Sequence, residues 1–190
     1  MSYRLALAAA LLSAAPVVAA HAQAQGEAPS IEQRLQKLED EAEIRRIMVD
    51  YAALLGARDY DGYAALFAQD GIWQNGDIVK KGHDEIRDLL VGMFGEYDPN
   101  YVNNEMYMLV SNIQIDVHGD TATATSRQLT IRRGEGGRPT PVLNGRYDDT
   151  FVRENGKWKI QHRIDNVIMP SREEWAKFME QRRAEQAGQD

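Results

Sequence analysis

Apolar residues recur at helical spacing through Ile31, Leu35, Leu38, Ile44, Ile47, Met48, Tyr51 and Leu55, which predicts one long N-terminal helix. Ser30 and Gln33 form a capping-box pattern at its start, and Gly56 fits its end. A second short helix is expected over Asp59–Ala68, burying Tyr63, Leu66 and Phe67. Gly71–Val79 reads as a strand carrying Trp73. Asp84 then fits the cap of a third helix with Ile86, Leu89, Leu90 and Phe94 on its apolar face. After a polar, Asn- and Tyr-rich loop over 95–105, the period changes to two. Met108–Val117 and Thr121–Arg133 read as strands joined by the turn His118-Gly119-Asp120. A Gly-rich turn over Gly134–Pro139 leads into a hairpin spanning Gly145–Arg163. Its Asn155-Gly156 pair is the strongest short-range hairpin signal, because both central residues of a type I′ turn need positive φ. Pro170 and Ser171-Arg-Glu-Glu174 open a C-terminal helix with Trp175 and Phe178, which ends in a charged tail.

Helices segregated from a meander of strands predict an α+β fold: a cone-shaped barrel in which a curved mixed or antiparallel sheet wraps around three N-terminal helices. The length of 190 residues suits one domain with extensions. The expected division is a signal peptide at 1–22, a flexible leader at 23–30, a cone domain at 31–168, and a C-terminal helix and tail at 169–190. Arg4, the short apolar run Leu5–Leu12 and the small-x-small triplets ending at Ala22 and Ala24 form the signal pattern. The expected location is therefore periplasmic or secreted, with no membrane contact once the signal is removed.

The net charge of −7 argues against a nucleic-acid partner, which would need a basic face. No cysteine is present for disulfide or thiolate chemistry. Neither a metal-ligand spacing of His residues nor a phosphate-cradling Gly loop appears, so no metal and no cofactor are expected. The hairpin carries an unusual load of polar side chains for core-facing strands: Tyr147, Asp149, His162, Arg163 and Asp165. Buried polar groups are costly unless partnered, which marks the hairpin as the place to look for a site. Tyr147 and Asp149 share one strand face, as do Arg163 and Asp165. The parity of Trp158 and Ile160 sets His162 opposite Arg163 unless a bulge intervenes, so both remain candidates to face the core.

The ordered set Tyr51, Asp59-Tyr-Asp61, Leu66-Phe67, Asp70-Gly71, Trp73, Gly82, Asn112-Ile-Gln-Ile, Gly119-Asp120-Thr-Ala-Thr-Ala, Gly145-Arg-Tyr-Asp-Asp, Gly156-Lys-Trp-Lys-Ile and Arg163 resembles the SnoaL-like branch of the nuclear transport factor 2-like superfamily. That resemblance implies a cone that is often a homodimer or homotrimer. It also implies cofactor-free proton transfer on a small hydrophobic molecule, as in scytalone dehydratase, dehydrochlorinases, ketosteroid isomerase and polyketide cyclases. In the dehydratase-like relatives a His base is oriented by an Asp. Met108 and Gly56 stand at those two positions here. Trp73, Tyr51, Tyr147 and Arg163 match pocket positions of the relatives.

The candidate catalytic residues are therefore Tyr51, Tyr147, Arg163, His162 and Asp59. The candidate substrate-binding residues are Trp73, Tyr107, Met108, Leu143 and Asp149. Arg163 is a fixed, forked donor suited to an oxyanion, with a structural ion pair to Asp149 or Asp165 as its alternative. Asp59 is equally suited to cap the second helix. The expected function is a cofactor-independent lyase or isomerase on an aromatic or polycyclic substrate. The alternative is a non-catalytic ligand-binding or scaffold domain that has lost the dyad. A β subunit of ring-hydroxylating dioxygenases shares the implied fold, but the signal pattern disfavours it. The catalytic and ligand-binding readings both require an enclosed pocket lined by Tyr51, Trp73, Tyr147 and Arg163, which a cone filled by side chains would not provide.

Overall fold

The computed structural model describes residues 28–187; the signal-peptide assignment and most of the leader lie outside them. Helix α1 spans Ile31–Ala57 and opens with the full capping box, Ser30 Oγ accepting from the Gln33 amide. It runs past Gly56 and ends at Arg58, which adopts φ 57°, so the left-handed residue that stops the helix is an arginine. Helix α2 spans only Tyr60–Ala64, with Asp59 as its cap. It is shorter than the sequence pattern suggests because Phe67 and Ala68 are drawn into strand β1 (Phe67–Asn75). The predicted first strand is a hairpin: β1 turns at Gly76, φ 57°, into β2 (Ile78–Lys81). Helix α3 spans Gly82–Phe94, with Asp84 inside its first turn rather than capping it. Strands β3 (Met106–His118), β4 (Thr121–Arg133), β5 (Pro139–Glu154) and β6 (Lys157–Met169) follow, then helix α4 (Arg172–Ala187).

One mixed sheet has the order β2-β1-β6-β5-β4-β3, in which β1 runs parallel to β6 and the other neighbours are antiparallel. The sheet is curved but open. Beads of core side chains from α1 and α2 (Ile44, Met48, Tyr51, Leu55, Tyr63) meet Phe67, Phe151, Trp158 and Ile160 from the sheet. Among the described residues, no helix is long and apolar enough to cross a membrane.

Two bulges set which side chains face the helices. In β3 the pairing shifts between Ser111 and Gln114, where Asn112 adopts φ 52°; inward positions therefore change from Met106, Met108 and Val110 to Ile113, Ile115 and Val117. In β6, Phe151 pairs with Ile160 while Thr150 pairs with His162, leaving Gln161 as an extra residue. That insertion reverses the parity of the strand. Arg163 is thereby brought to the same inner face as Trp158 and Ile160, and His162 is left half-buried on the other.

Candidate functional site

The inner faces of β4, β5 and β6 carry a contiguous polar patch. Ser126 lies opposite Tyr147, Tyr147 opposite Asp165, and Asp149 opposite Arg163. Arg163 is completely buried, and its Nε and Nη2 donate to the two oxygens of Asp149 at 2.8 and 2.7 Å. Its guanidinium lies 3.9 Å from the ring centre of Tyr51 and 4.3 Å from that of Tyr147. Two aromatic faces and one bidentate carboxylate therefore hold a single cation. Burial opposes the charge on Arg163, but Asp149 outweighs it and raises the pKa of the guanidinium. Trp73 Nε1 donates to the Tyr51 hydroxyl at 3.1 Å, which fixes Tyr51 beneath the cation.

Burial pushes the Tyr51 phenol up and the Tyr147 phenol well above the ordinary phenol value, so both stay neutral donors. Asp165 is the titratable member of the group. Burial raises its carboxyl to about 6 against the attraction of Arg163, and Gln128 Nε2 donates to its Oδ1 at 2.9 Å. The spacing Arg163-x-Asp165 placed this carboxylate on the site face in the sequence. Its raised pKa depends on burial among strands distant in the chain, which spacing alone does not reveal.

Three polar atoms in this patch have no partner among the described residues: Arg163 Nη1, Ser126 Oγ and Gln128 Oε1. The Tyr147 hydroxyl meets only the thioether of Met108, at 3.6 Å. Sulfur is a weak acceptor, so a strong donor is left poorly used. Buried polar atoms left over in a folded protein call for an explanation, and a functional role is one.

The remaining candidates separate. Asp59 Oδ1 accepts from the Gly62 amide at 2.8 Å, so its carboxylate caps α2. His162 Nε2 pairs with Gln74 Oε1 at 3.0 Å, away from the patch. Tyr107 is 62% exposed, its parity opposite to that of Met106 and Met108, and it stands away from the buried patch but lines the groove beside α1. Leu143 is half-buried and lies in register with Thr130, which in turn pairs with Met108. The enclosed pocket expected among Tyr51, Trp73, Tyr147 and Arg163 is not found among the described residues: the four side chains converge but touch one another, so a small molecule reaches them only if a side chain moves. The open space lies beside them, in a groove of about 300 Å3 between α1 and β3 lined by Val49, Ala52, Gly56, Met108, Leu109 and Val110, among others. Met108 and Gly56, at the positions of the missing dyad, both line it. Among the described residues, no group of three or more His, Cys, Asp or Glu is placed to hold a metal ion.

A curved open sheet with helices on its concave face and polar side chains buried there defines a protein of the NTF2-like class. A solved NTF2-like protein with a cystatin-like fold from Novosphingobium aromaticivorans superposes with a TM-score of 0.64 at 25% identity, covering 75% of this chain and 91% of the other. Residues 36–164 match the SnoaL-like domain, and the chain belongs to that family. A candidate scytalone dehydratase from Novosphingobium aromaticivorans is 29% identical with a TM-score of 0.59, over 72% of this chain and 89% of that one. An uncharacterised protein of Mycobacterium tuberculosis is 25% identical over 132 residues, 68% of this chain and 86% of the relative.

Proposed function

We propose that this chain is a cofactor-independent lyase or isomerase that moves a proton on a small hydrophobic, aromatic or polycyclic molecule. The observation that carries the reading is the convergence, on one buried face, of a neutral phenol donor, a fixed cation and a carboxyl poised near 6: Tyr147, Arg163 and Asp165. The likeness to a candidate scytalone dehydratase supports the reaction class.

Asp165 takes the place of the absent His base. As a carboxylate it removes a proton from carbon next to a carbonyl. The electron pair of the broken C–H bond moves toward the carbonyl oxygen, where Tyr147 O–H and the unpartnered Arg163 Nη1 meet the developing charge. Return of the proton to another carbon completes an isomerisation; expulsion of a β-leaving group, protonated from Asp165 or water, completes an elimination. Tyr51, held by Trp73, fixes the position of Arg163. The N-terminal signal pattern supports work outside the cytoplasm.

The test is to incubate the purified protein with aromatic alcohols, ethers and ketones in D2O, reading elimination products by mass and deuterium uptake by NMR. Asp165→Asn should slow turnover by roughly 10²–10⁴-fold. Activity should rise with pH about a midpoint near 6, as the carboxylate forms. Unchanged turnover in Asp165→Asn would remove Asp165 from the mechanism. The presence of Met108 and Gly56 at the dyad positions favours a second reading, a ligand-binding domain without catalysis. Binding without any turnover across the panel would select it.

A further inference from the structure

The apolar groove and the buried polar patch meet at Met108. Met108 lines the groove on one side, and its sulfur receives the Tyr147 hydroxyl on the other. Tyr147 in turn stacks on Arg163, whose Nη1 has no partner. We infer that Met108 is a displaceable plug: a ligand enters between α1 and β3, turns the thioether aside and puts an oxygen where the sulfur was. The inference rests on the reading of the patch as a substrate site and adds its entry route and ligand class.

Three observations favour displacement over a permanent wall. Methionine is unbranched and adaptable, so its side chain can move without disturbing the strand. Met108 is only half-buried, on the edge strand β3. An oxygen acceptor would replace the weak O–H···S contact with a full hydrogen bond. The groove, at about 300 Å3, falls at the lower end of the range for small-molecule pockets.

Charge selects the oxygen. Arg163 is already neutralised by Asp149, and Asp165 adds a second carboxyl beside them. The patch therefore has no surplus positive charge to hold a carboxylate or phosphate. A neutral carbonyl oxygen on a flat apolar body satisfies the leftover donors without adding like charge. The ligand class is thus a neutral aromatic ketone, aldehyde or enone.

The probes are 2-acetylnaphthalene, naphthalene and 2-naphthoate, with binding measured by calorimetry on the full mature chain. Met108→Ala and the strand-compatible Met108→Val should each bind 2-acetylnaphthalene about tenfold more tightly than wild type, while Met108→Leu, which keeps the bulk, should stay within about threefold. Naphthalene should gain far less, and 2-naphthoate should remain the weaker of the two oxygenated probes. Adding Tyr147→Phe to Met108→Ala should erase the gain for the ketone. Equal ketone affinity in all the Met108 variants would overturn the plug, and so would an equal gain for naphthalene, which would mean that volume alone counts. Asp165→Asn separates the two proposals: it should suppress turnover while the Met108 variants keep their ranking for 2-acetylnaphthalene, and by removing a carboxyl it should bring 2-naphthoate closer to the ketone. The Met108 pattern without any turnover sinks the catalytic reading alone; turnover without the Met108 pattern sinks the plug alone.

Discussion

Strands β5 and β6 carry two polar clusters, a part-buried one near the hairpin turn and a buried one farther along, and the two are finished differently. Near the turn, Asp40 of α1 accepts from Gln36 Nε2 at 3.0 Å, Trp158 Nε1 at 3.1 Å and Arg153 Nη2. Arg153 also reaches Asp120 at 3.2 Å and lies 4.5 Å from the centre of the Trp158 ring, while Glu43 accepts from the Trp158 amide at 2.9 Å. This network ties the first helix to the hairpin, and none of its side-chain polar atoms is left buried without a partner. In the inner cluster of Tyr147, Arg163 and Asp165, unpartnered atoms remain at Arg163 Nη1, Ser126 Oγ and Gln128 Oε1. The chemistry of the residues is similar in both places. Completeness separates the joint near the turn from the candidate site farther along.

The largest effect should come from Asp149→Ala, which strands the buried Arg163 charge. A loss of roughly 3–5 kcal/mol in chemical denaturation is expected, and a loss below 1 kcal/mol would show that the stacked rings suffice. Arg153→Ala in the completed network should cost about 2 kcal/mol and leave turnover intact, because Trp158 and Gln36 still hold Asp40.

Acid should separate the clusters by sign. Burial pushes Asp40 up, but the hydrogen bonds from Arg153 and Trp158 outweigh it and leave its carboxyl below the usual value. Its contribution to stability is therefore present at neutral pH and lost as pH falls through that lowered value. Asp165 runs the other way. Its folded pKa is raised from 3.8 to about 6, so the folded protein binds more protons across that interval and Asp165 makes stability fall as pH rises through it. The slope is at most about 1.4 kcal/mol per pH unit, and Asp165→Asn should flatten it in urea melts taken from low to neutral pH. The smallest effect belongs to Asp59→Ala: a lost helix cap of about 1 kcal/mol with turnover retained. A collapse of turnover instead would return Asp59 to the site.

Local signals carried much of this architecture. Asn155 and Gly156 adopt φ 51° and 78°, as the type I′ reading of that pair requires, and the capping box at Ser30 forms in full. The alternation in Thr121–Arg133 gives β4 with its boundaries as read. Non-local facts were hidden. The turn at Gly76 was not among them: Asn75-Gly76 is the same Asn-Gly signal as Asn155-Gly156, and reading Gly71–Val79 as one strand passed over it; the parallel pairing of β1 with β6 has no local signal. Within the site, the sequence placed Tyr147 and Asp149 on one face, but the packing of Arg163 between Tyr51 and Tyr147 needs α1 and β5 together. That Met108 would stand between a groove and a phenol is likewise a property of packing.

Gln161, the extra residue of β6, has a consequence for how this strand can vary. It acts as a phase shift in an alternating code: before it, even-numbered residues build the core; after it, odd-numbered residues furnish the site. Pairing Gln161 into the ladder would set it opposite Thr150 and turn Arg163 and Asp165 outward in exchange for His162 and Ile164, whereas deleting it would leave His162 opposite Thr150 and Arg163 opposite Asp149. The candidate site thus depends on one residue being held out of the ladder as well as on the identities of its side chains, and the strand tolerates the loss of that residue better than its incorporation.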